Sequence, residues 1–180
     1  MEKKSLKKGD AKVMAWVCIG DGRTLTVRWM VDDNGRPASV NAERYLSMLR
    51  EDVWPEVRSR AGRRQYWWQQ DGATSHTTNA VLDFLDSKFH GRIISRRSDI
   101  PWPPYSPDLN PLDFFVWGYV MQQVRRIKPE TIDELKAVVE DVVSSIPEEM
   151  IRKSVANLRK RCEACLAADG GHFEHFLKSM

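Results

Sequence analysis

The chain has 180 residues, of which 42% are hydrophobic and 29% are charged. This balance is typical of one soluble globular domain and excludes a disordered chain. No apolar run approaches the length of a membrane span, and the basic start leads into no apolar signal core, so we expect an intracellular protein without a membrane partner. Its three cysteines do not indicate a disulfide framework, and its net charge of +3 permits nucleic-acid binding without requiring it.

The first predicted elements are a basic arm and a β-hairpin. Residues 1–10 contain four lysines and are expected to form a flexible basic arm. Strands are predicted at 12–19 and 24–31, because Asp21-Gly22 between them is a dipeptide typical of tight hairpin turns. A helix is predicted from Asn41 to about Arg60, with Asn41 as its cap and with Pro55 kinking or dividing it.

An aromatic-rich strand and a helix come next in the pattern. Residues 66–70 predict a short buried strand that ends at Asp71-Gly72. Thr74 or Ser75 is expected to cap the following helix, whose apolar positions are Val81, Leu82, Leu85 and Phe89. Asp71 therefore lies at the carboxyl end of a strand, where open α/β sheets bind their ligands. A strand-ending acid that merely starts a turn is the alternative.

The second half of the chain is predicted to be mainly helical. A short strand at 92–95 is followed by a proline-rich stretch at 101–107 that excludes regular structure. Asn110 suits a helix cap, Pro111 the first helical position and Asp113 the first turn. Helices at 130–145 and 148–168 make the part from about 130 helical, and the last is expected to bury an apolar stripe, namely Ile151, Val155, Leu158, Cys162 and Cys165.

Two acids in this pattern are candidate metal ligands. Asp71 ends a strand, and Asp113 lies where the amide dipoles of a helix start favour an ionised carboxylate. Two such carboxylates could share hard cations such as Mg²⁺, and paired metals serve in-line phosphoryl displacement. A simple helix-capping acid is the alternative for Asp113.

Two motifs identify a family resemblance. Gln-Gln-Asp-Gly-Ala at 69–73 with His76, followed by Trp-Pro-Pro-Tyr-Ser-Pro-Asp-Leu-Asn-Pro-Leu-Asp at 102–113, resembles the catalytic domain of Tc/mariner-type transposases. The tail Gly-Gly-His-Phe-Glu-His at 170–175 resembles the ends of insect members. The resemblance covers nearly the whole chain.

The resemblance implies a mixed α/β, RNase H-like sheet flanked by helices, spanning residues 11–180. It implies a triad of acids that binds two Mg²⁺ or Mn²⁺ ions for nicking at transposon ends and for strand transfer into target DNA. By motif, Asp71 is the second acid and Asp113 the third. The implied partners are DNA and a second copy of the chain, with no small-molecule substrate, and the implied location is the nucleus.

The sequence departs from the family at its start. The family's first acid lies on a strand upstream of one that resembles residues 13–19, and Asp10 sits in a Lys-Gly-Asp loop rather than in an apolar run. No helix-turn-helix region that would recognise transposon ends precedes it either. We therefore expect a truncated reading frame or fragment that lacks the first strand and is inactive by itself. A non-catalytic relic that binds DNA or protein is the alternative.

Weak DNA binding and zinc binding were the remaining possibilities. Arg63, Arg64, Arg96 and Arg97, together with His76, are candidate DNA contacts, although charged clusters are commonly only solvated surface. Cys162, Cys165, His172 and His175 imitate a set of zinc ligands. We expect no zinc site, because the two cysteines are predicted to face the core side of their helix.

Overall fold

The computed structural model describes residues 13–20, 22–32, 34–61, 65–175 and 177. The predicted basic arm at 1–10, with Asp10, and the candidate DNA contacts Arg63 and Arg64 lie outside the described residues. The chain divides into two compact units. One unit contains the described residues up to Trp29 and those from Pro107 onward, and the other contains residues 30–106.

The first unit begins with the predicted hairpin. Strand β1 (Ala15–Gly20) pairs antiparallel with β2 (Arg23–Trp29), and the register shifts between Cys18 and Ile19. Gly22 in the turn has a φ of +78°, a backbone conformation that glycine adopts without steric cost. The hairpin prediction is therefore confirmed, although Asp21 lies outside the described residues.

The second unit opens with a helix in three parts. Helix α1 (Ala42–Met48) is followed by a π-helical segment (Leu49–Val53) and by α2 (Trp54–Ala61). The prediction of Asn41 as the cap is confirmed, because its side-chain oxygen accepts a hydrogen bond from the Arg44 amide at 2.8 Å. The predicted division of this helix takes the form of the π segment, in which the Trp54 amide bonds to the carbonyl of Leu49.

A small parallel sheet lies at the centre of the second unit. Its order is β3 (Trp68–Gln69), then β4 (Ile93–Ser95) and then β5 (Ile100–Pro101), and α3 (Asn79–Phe89) connects the first two. The prediction of an irregular stretch from 101 was wrong at its first residue. Pro101 can close β5, because the Trp102 amide rather than a proline nitrogen donates to the Ser95 carbonyl.

The core of the second unit joins α1, α3 and the parallel sheet. Trp68 packs against Phe89 with ring centroids 5.3 Å apart, and Trp54 approaches the same ring at 5.8 Å. The side chains of Tyr45, Leu49, Val53, Val81, Leu85, Ile93 and Trp102 are also buried. Thr78 precedes α3 as its cap residue, so the prediction of Thr74 or Ser75 was wrong. Residues Thr74–His76 instead form a separate 3₁₀ turn.

The helices of the first unit follow the sheet in the chain. A 3₁₀ turn (Pro107–Leu109) and a π-helical segment (Leu112–Val116) lead into α4 (Trp117–Ile127). Helices α5 (Ile132–Ser145) and α6 (Glu148–Ala167) come next. Their core contains Val17 of β1 together with Val116, Val120, Val139, Val142, Val143, Ile146 and Ile151.

The buried face of α6 differs from the predicted stripe. Val155 is 46% exposed, and Cys162 and Cys165 are only half-buried. The helix buries Ile151, Ser154, Arg161 and Ala164 instead. The face is therefore rotated from the predicted one, and it includes an arginine that an apolar pattern cannot identify. Among the described residues, no helix is long and apolar enough to cross a membrane.

Candidate active site

Asp71 lies directly after the hydrogen-bonded end of β3. Strand β3 pairs parallel with β4, and the Gln70 amide donates the last bond of this ladder to the carbonyl of Ile94 at 3.0 Å. Asp71 thus occupies the carboxyl end of a parallel strand, where the peptide ladder stops and side chains can meet a ligand. The structure supports the position that the sequence predicted for this acid.

The carboxylate of Asp71 is held by two donors. His76 Nδ1 lies 2.7 Å from its Oδ1, and the Ala73 amide donates to the same oxygen at 3.1 Å. The hydrogen bond from His76 is the main reason why the pKa of Asp71 lies below its ordinary value. Partial burial raises this pKa, but it is outweighed by His76 and by the Ala73 amide. The lowered pKa favours the ionised form of Asp71, and its half-exposed carboxylate is a candidate oxygen ligand.

His76 is in turn fixed by its surroundings. Its ring stacks on Tyr45 with centroids 4.2 Å apart and an angle of 29° between the planes. Its side chain is only 14% exposed. A ring that is stacked on one face and bonded at Nδ1 has little freedom, so His76 can orient Asp71. The predicted contact of His76 with DNA stays a prediction.

Gln70 connects these groups, a role that was not predicted for it although it belongs to the motif at 69–73. Its Oε1 accepts hydrogen bonds from the Tyr45 hydroxyl at 2.9 Å and from Trp68 Nε1 at 3.2 Å. Its Nε2 donates to the His76 carbonyl at 2.7 Å and to Ser95 Oγ at 3.0 Å. All four hydrogen-bonding positions of this buried amide are thereby used. The network fixes the turn that presents His76 to Asp71.

We expect the His76→Phe variant to raise the pKa of Asp71 toward its ordinary value. Phenylalanine can keep the stack on Tyr45 but cannot donate to the carboxylate. Since the pKa of Asp71 is depressed in the folded state, its bond to His76 stabilises the fold above the ordinary carboxyl range. That contribution is lost as the pH falls through the depressed pKa.

Two measurements check this expectation. A carboxyl carbon NMR titration follows Asp71 directly, and the unfolding free energies of wild type and variant should converge on acidification. His172→Phe, which alters an exposed histidine, is the control. An unchanged Asp71 titration in His76→Phe would contradict the assigned cause.

Asp113 lies in the π-helical segment that precedes α4. Asn110 Nδ2 donates to its Oδ2 at 2.9 Å, and the Asp113 amide donates to the Asn110 carbonyl at 2.9 Å. Asn110 Oδ1 also accepts from the Leu112 amide at 3.1 Å, as expected of a capping residue. One asparagine thus fixes both the helix start and the exposed carboxylate, and π segments are frequent at functional sites.

Asp71 and Asp113 belong to different compact units. The predicted approach of the two carboxylates to a shared metal therefore stays a prediction. In the part of the chain that the structure describes, no three His, Cys, Asp or Glu side chains form a group that could hold a metal ion. This statement includes the four candidate zinc ligands, of which the rings of His172 and His175 are 6.2 Å apart at their centroids.

Of the four arginines predicted to contact DNA, the structure describes two, Arg96 and Arg97. Arg96 and Arg97 are both exposed. A Cβ added at Gly72 would lie 3.6 Å from Cδ of Arg96, so this side chain lies beside the residue after Asp71. Arg97 Nη1 donates to the Thr77 carbonyl at 3.2 Å. One cationic side chain therefore lies beside Gly72 and the other at the Thr77 carbonyl, both within the stretch that follows Asp71.

Known proteins align with this chain over most of its length. It is 25% identical over 166 residues to the Tcb1 transposase of Caenorhabditis briggsae, covering 92% of this chain and 55% of the relative. The Tc3 transposase of Caenorhabditis elegans is 25% identical over 165 residues, covering 90% and 45%. The Mos1 mariner transposase of Drosophila mauritiana is 26% identical over 145 residues, covering 77% and 39%. The chain spans about half the length of the curated relatives it matches. No protein-family model matches it.

Solved structures show the same fold. The catalytic domain of Mos1 transposase superposes with a TM-score of 0.78 at 22% identity, covering 96% of this chain and 82% of that one. The same domain with raltegravir and manganese gives the same values. The Mos1 paired-end complex with manganese gives a TM-score of 0.72 at 22% identity, covering 94% of this chain and 48% of the other.

The homologues of this chain are Tc1/mariner transposases, so the resemblance inferred from the motifs is confirmed. The predicted mixed α/β, RNase H-like class is confirmed as well, with antiparallel pairing in the hairpin and parallel pairing in the small sheet.

Proposed function

We propose that this chain is a transposase catalytic domain of the metal-dependent DNA cleavage and strand-transfer class, with Asp71 and Asp113 as metal ligands. The observation that supports it most directly is the Asp71 carboxylate. It lies at the end of a parallel strand, and its hydrogen bond to His76 lowers its pKa and so favours the ionised form. The homologues are transposases, and the Mos1 catalytic domain of similar fold was solved with manganese, which supports a metal-binding role for this carboxylate.

The donor set fits a hard divalent cation. Both candidate ligands are carboxylates, and Mg²⁺ and Mn²⁺ prefer oxygen ligands. Oδ1 of Asp71 accepts both hydrogen bonds, so a cation bound at Oδ2 would displace neither of them. When bound, such ions would activate the attacking oxygen and stabilise the leaving oxygen of a phosphodiester.

The remaining residues position these ligands and the DNA. His76 and the Ala73 amide orient Asp71, and Asn110 orients Asp113. Arg96 and Arg97, together with Arg63 and Arg64, are proposed to contact DNA phosphates. Phosphate contacts position a duplex but carry no sequence information, so we propose binding with little sequence preference.

A third carboxylate is needed before cleavage can proceed. Neither β1 nor β2 carries an acidic residue. We therefore propose that the polypeptide of residues 1–180 does not cleave DNA, since two ligands do not fix the geometry of two ions. A non-catalytic relic that binds DNA or protein through this fold is the second candidate. Assembly with a second copy and location in the nucleus are part of the proposal, and the paired-end complexes of Mos1 support the former.

Loss of either ligand should weaken metal binding. We expect Asp71→Asn and Asp113→Asn each to lower the affinity for Mn²⁺ by about tenfold or more, because each removes a charged oxygen ligand while keeping the side-chain shape. Electron paramagnetic resonance of free Mn²⁺ during a titration measures this affinity. Asp83→Asn, on the exposed side of α3, is the matched control. Equal affinities in all four proteins would refute the assignment of these ligands.

A further inference from the structure

One side chain of α6 contacts the segment that carries Asp113. Arg161 is only 9% exposed, which is uncommon for an arginine. Its guanidinium carbon lies 4.0 Å from the centre of the Phe114 ring. Its Nη1 donates to the carbonyl oxygen of Asp108 at 2.9 Å. These contacts fall on both sides of Asp113 in the chain, one on the 3₁₀ turn before it and one on the next residue.

The chain after α6 supplies a further partner of Arg161, whose buried Nε has no hydrogen-bond partner among the described residues. Phe173 is fully buried, so it anchors this stretch to the first unit. Oε1 of Glu174 lies 3.6 Å from Nη1 of Arg161 and supplies an opposite charge. A buried cation needs such partners, because its desolvation is otherwise costly. The tail motif at 170–175 thus acquires a physical role as the support of Arg161.

We propose that Arg161 is a positioning residue for Asp113. It holds the Pro107–Leu109 turn through Asp108 and the π segment through Phe114, and Asn110 between them then fixes the carboxylate. A planar guanidinium can stack on a ring and donate a directed hydrogen bond at once, whereas a lysine ammonium does not match both functions. The inference rests on the proposed function of Asp113 as a metal ligand. Mutation of a residue that orients a metal ligand typically lowers metal affinity by about 10–100-fold.

Two readouts on the polypeptide of residues 1–180 test this role. Amide hydrogen exchange at Asp113 and Phe114 reports the local geometry, because both amides donate to the Asn110 carbonyl. In Arg161→Lys, which conserves charge, we expect these amides to exchange about tenfold faster relative to Val120 in α4. We expect the Mn²⁺ affinity at Asp113, measured by broadening of the Leu112–Phe114 amide signals, to fall by about tenfold.

The controls separate positioning from general stability. Arg159→Ala removes an exposed arginine of the same helix that pairs with Glu163, and it should leave both readouts unchanged. If Mn²⁺ does not broaden the Leu112–Phe114 amide signals of the wild type, Asp113 is not a metal ligand and the proposed function fails. The amide exchange rates would still test the positioning role of Arg161. Wild-type exchange ratios in Arg161→Lys would overturn the positioning role. If Arg161→Lys does not fold, the exchange rates at Asp113 and Phe114 relative to Val120 are measured in Glu174→Gln, which alters a half-exposed carboxylate. Wild-type ratios in that variant would likewise overturn the positioning role.

Discussion

The affinity of residues 1–180 for duplex DNA is expected to fall by roughly 150-fold between 50 and 200 mM salt. Four candidate arginines, each neutralising one phosphate, give a slope of about −3.6 for the logarithm of the affinity against the logarithm of salt concentration. Arg96 and Arg97 are the two of these that the structure describes, and their side chains reach Gly72 and the Thr77 carbonyl in the stretch after Asp71. The steep dependence follows because each contact releases a counterion from the DNA.

The double variant Arg96→Ala/Arg97→Ala should reduce this slope to about −1.8. Fluorescence anisotropy with two duplexes of unrelated sequence measures the slope and shows whether both sequences bind alike. Arg152→Ala/Arg159→Ala is the matched control, because it removes the same charge from arginines that pair with Glu148 and Glu163. An equal loss in the two double variants would mean that net charge, and not a surface beside Asp71, determines binding.

Local chemistry explains why much of the fold could be predicted. Gly22 accepts a positive φ, and it turns the hairpin in the predicted place. Asn41 and Asn110 both cap helices through their side-chain oxygens, as their types indicate. Each of these features depends on bonds within a few residues along the chain. A single sequence therefore contains the necessary information.

The features that could not be predicted depend on partners far along the chain. Strand β5 exists because Trp102 bonds back to Ser95, and a run of prolines hides that possibility. The buried face of α6 includes Arg161, whose partner carbonyl is 53 positions away at Asp108. The π-helical segment that contains Asp113 likewise has no signature in composition or spacing.

The candidate site divides in the same way. The positions of Asp71 at a strand end and of Asp113 at a helix start could be predicted from the sequence, because both are local features, and their role as metal ligands stays a prediction. The role of Gln70 could not be predicted, because its hydrogen-bond partners Tyr45 and Ser95 are each 25 positions away. A glutamine beside an aspartate carries no mark of such a network. Only the packing of α1 and β4 around β3 reveals that this amide supports His76.

Residues 1–180 are expected to leave supercoiled DNA intact in the presence of Mg²⁺ or Mn²⁺. Metal-assisted attack on a phosphodiester requires ligands that fix both ions relative to the attacking and leaving oxygens. In the proposed site Asp71 and Asp113 are two such ligands, and the strands β1 and β2 carry no acidic residue that could be a third. The conversion of plasmid from the supercoiled to the nicked form, followed on agarose gels, measures the reaction. Rates should equal those of Asp71→Ala at every metal concentration.

If the parent polypeptide nicks DNA and Asp71→Ala does not, the proposal that residues 1–180 are inactive is wrong. The proposal that Asp71 is a metal ligand would still stand. The missing ligand would then have to come from an acid within residues 1–180, and Asp10 is the first one to test because it precedes β1 in the chain. Loss of nicking in Asp10→Ala, with DNA affinity unchanged, would assign it. Nicking that survives in Asp71→Ala would instead indicate a contaminating nuclease or a reaction that does not use Asp71, and in the latter case it would contradict Asp71 as a metal ligand.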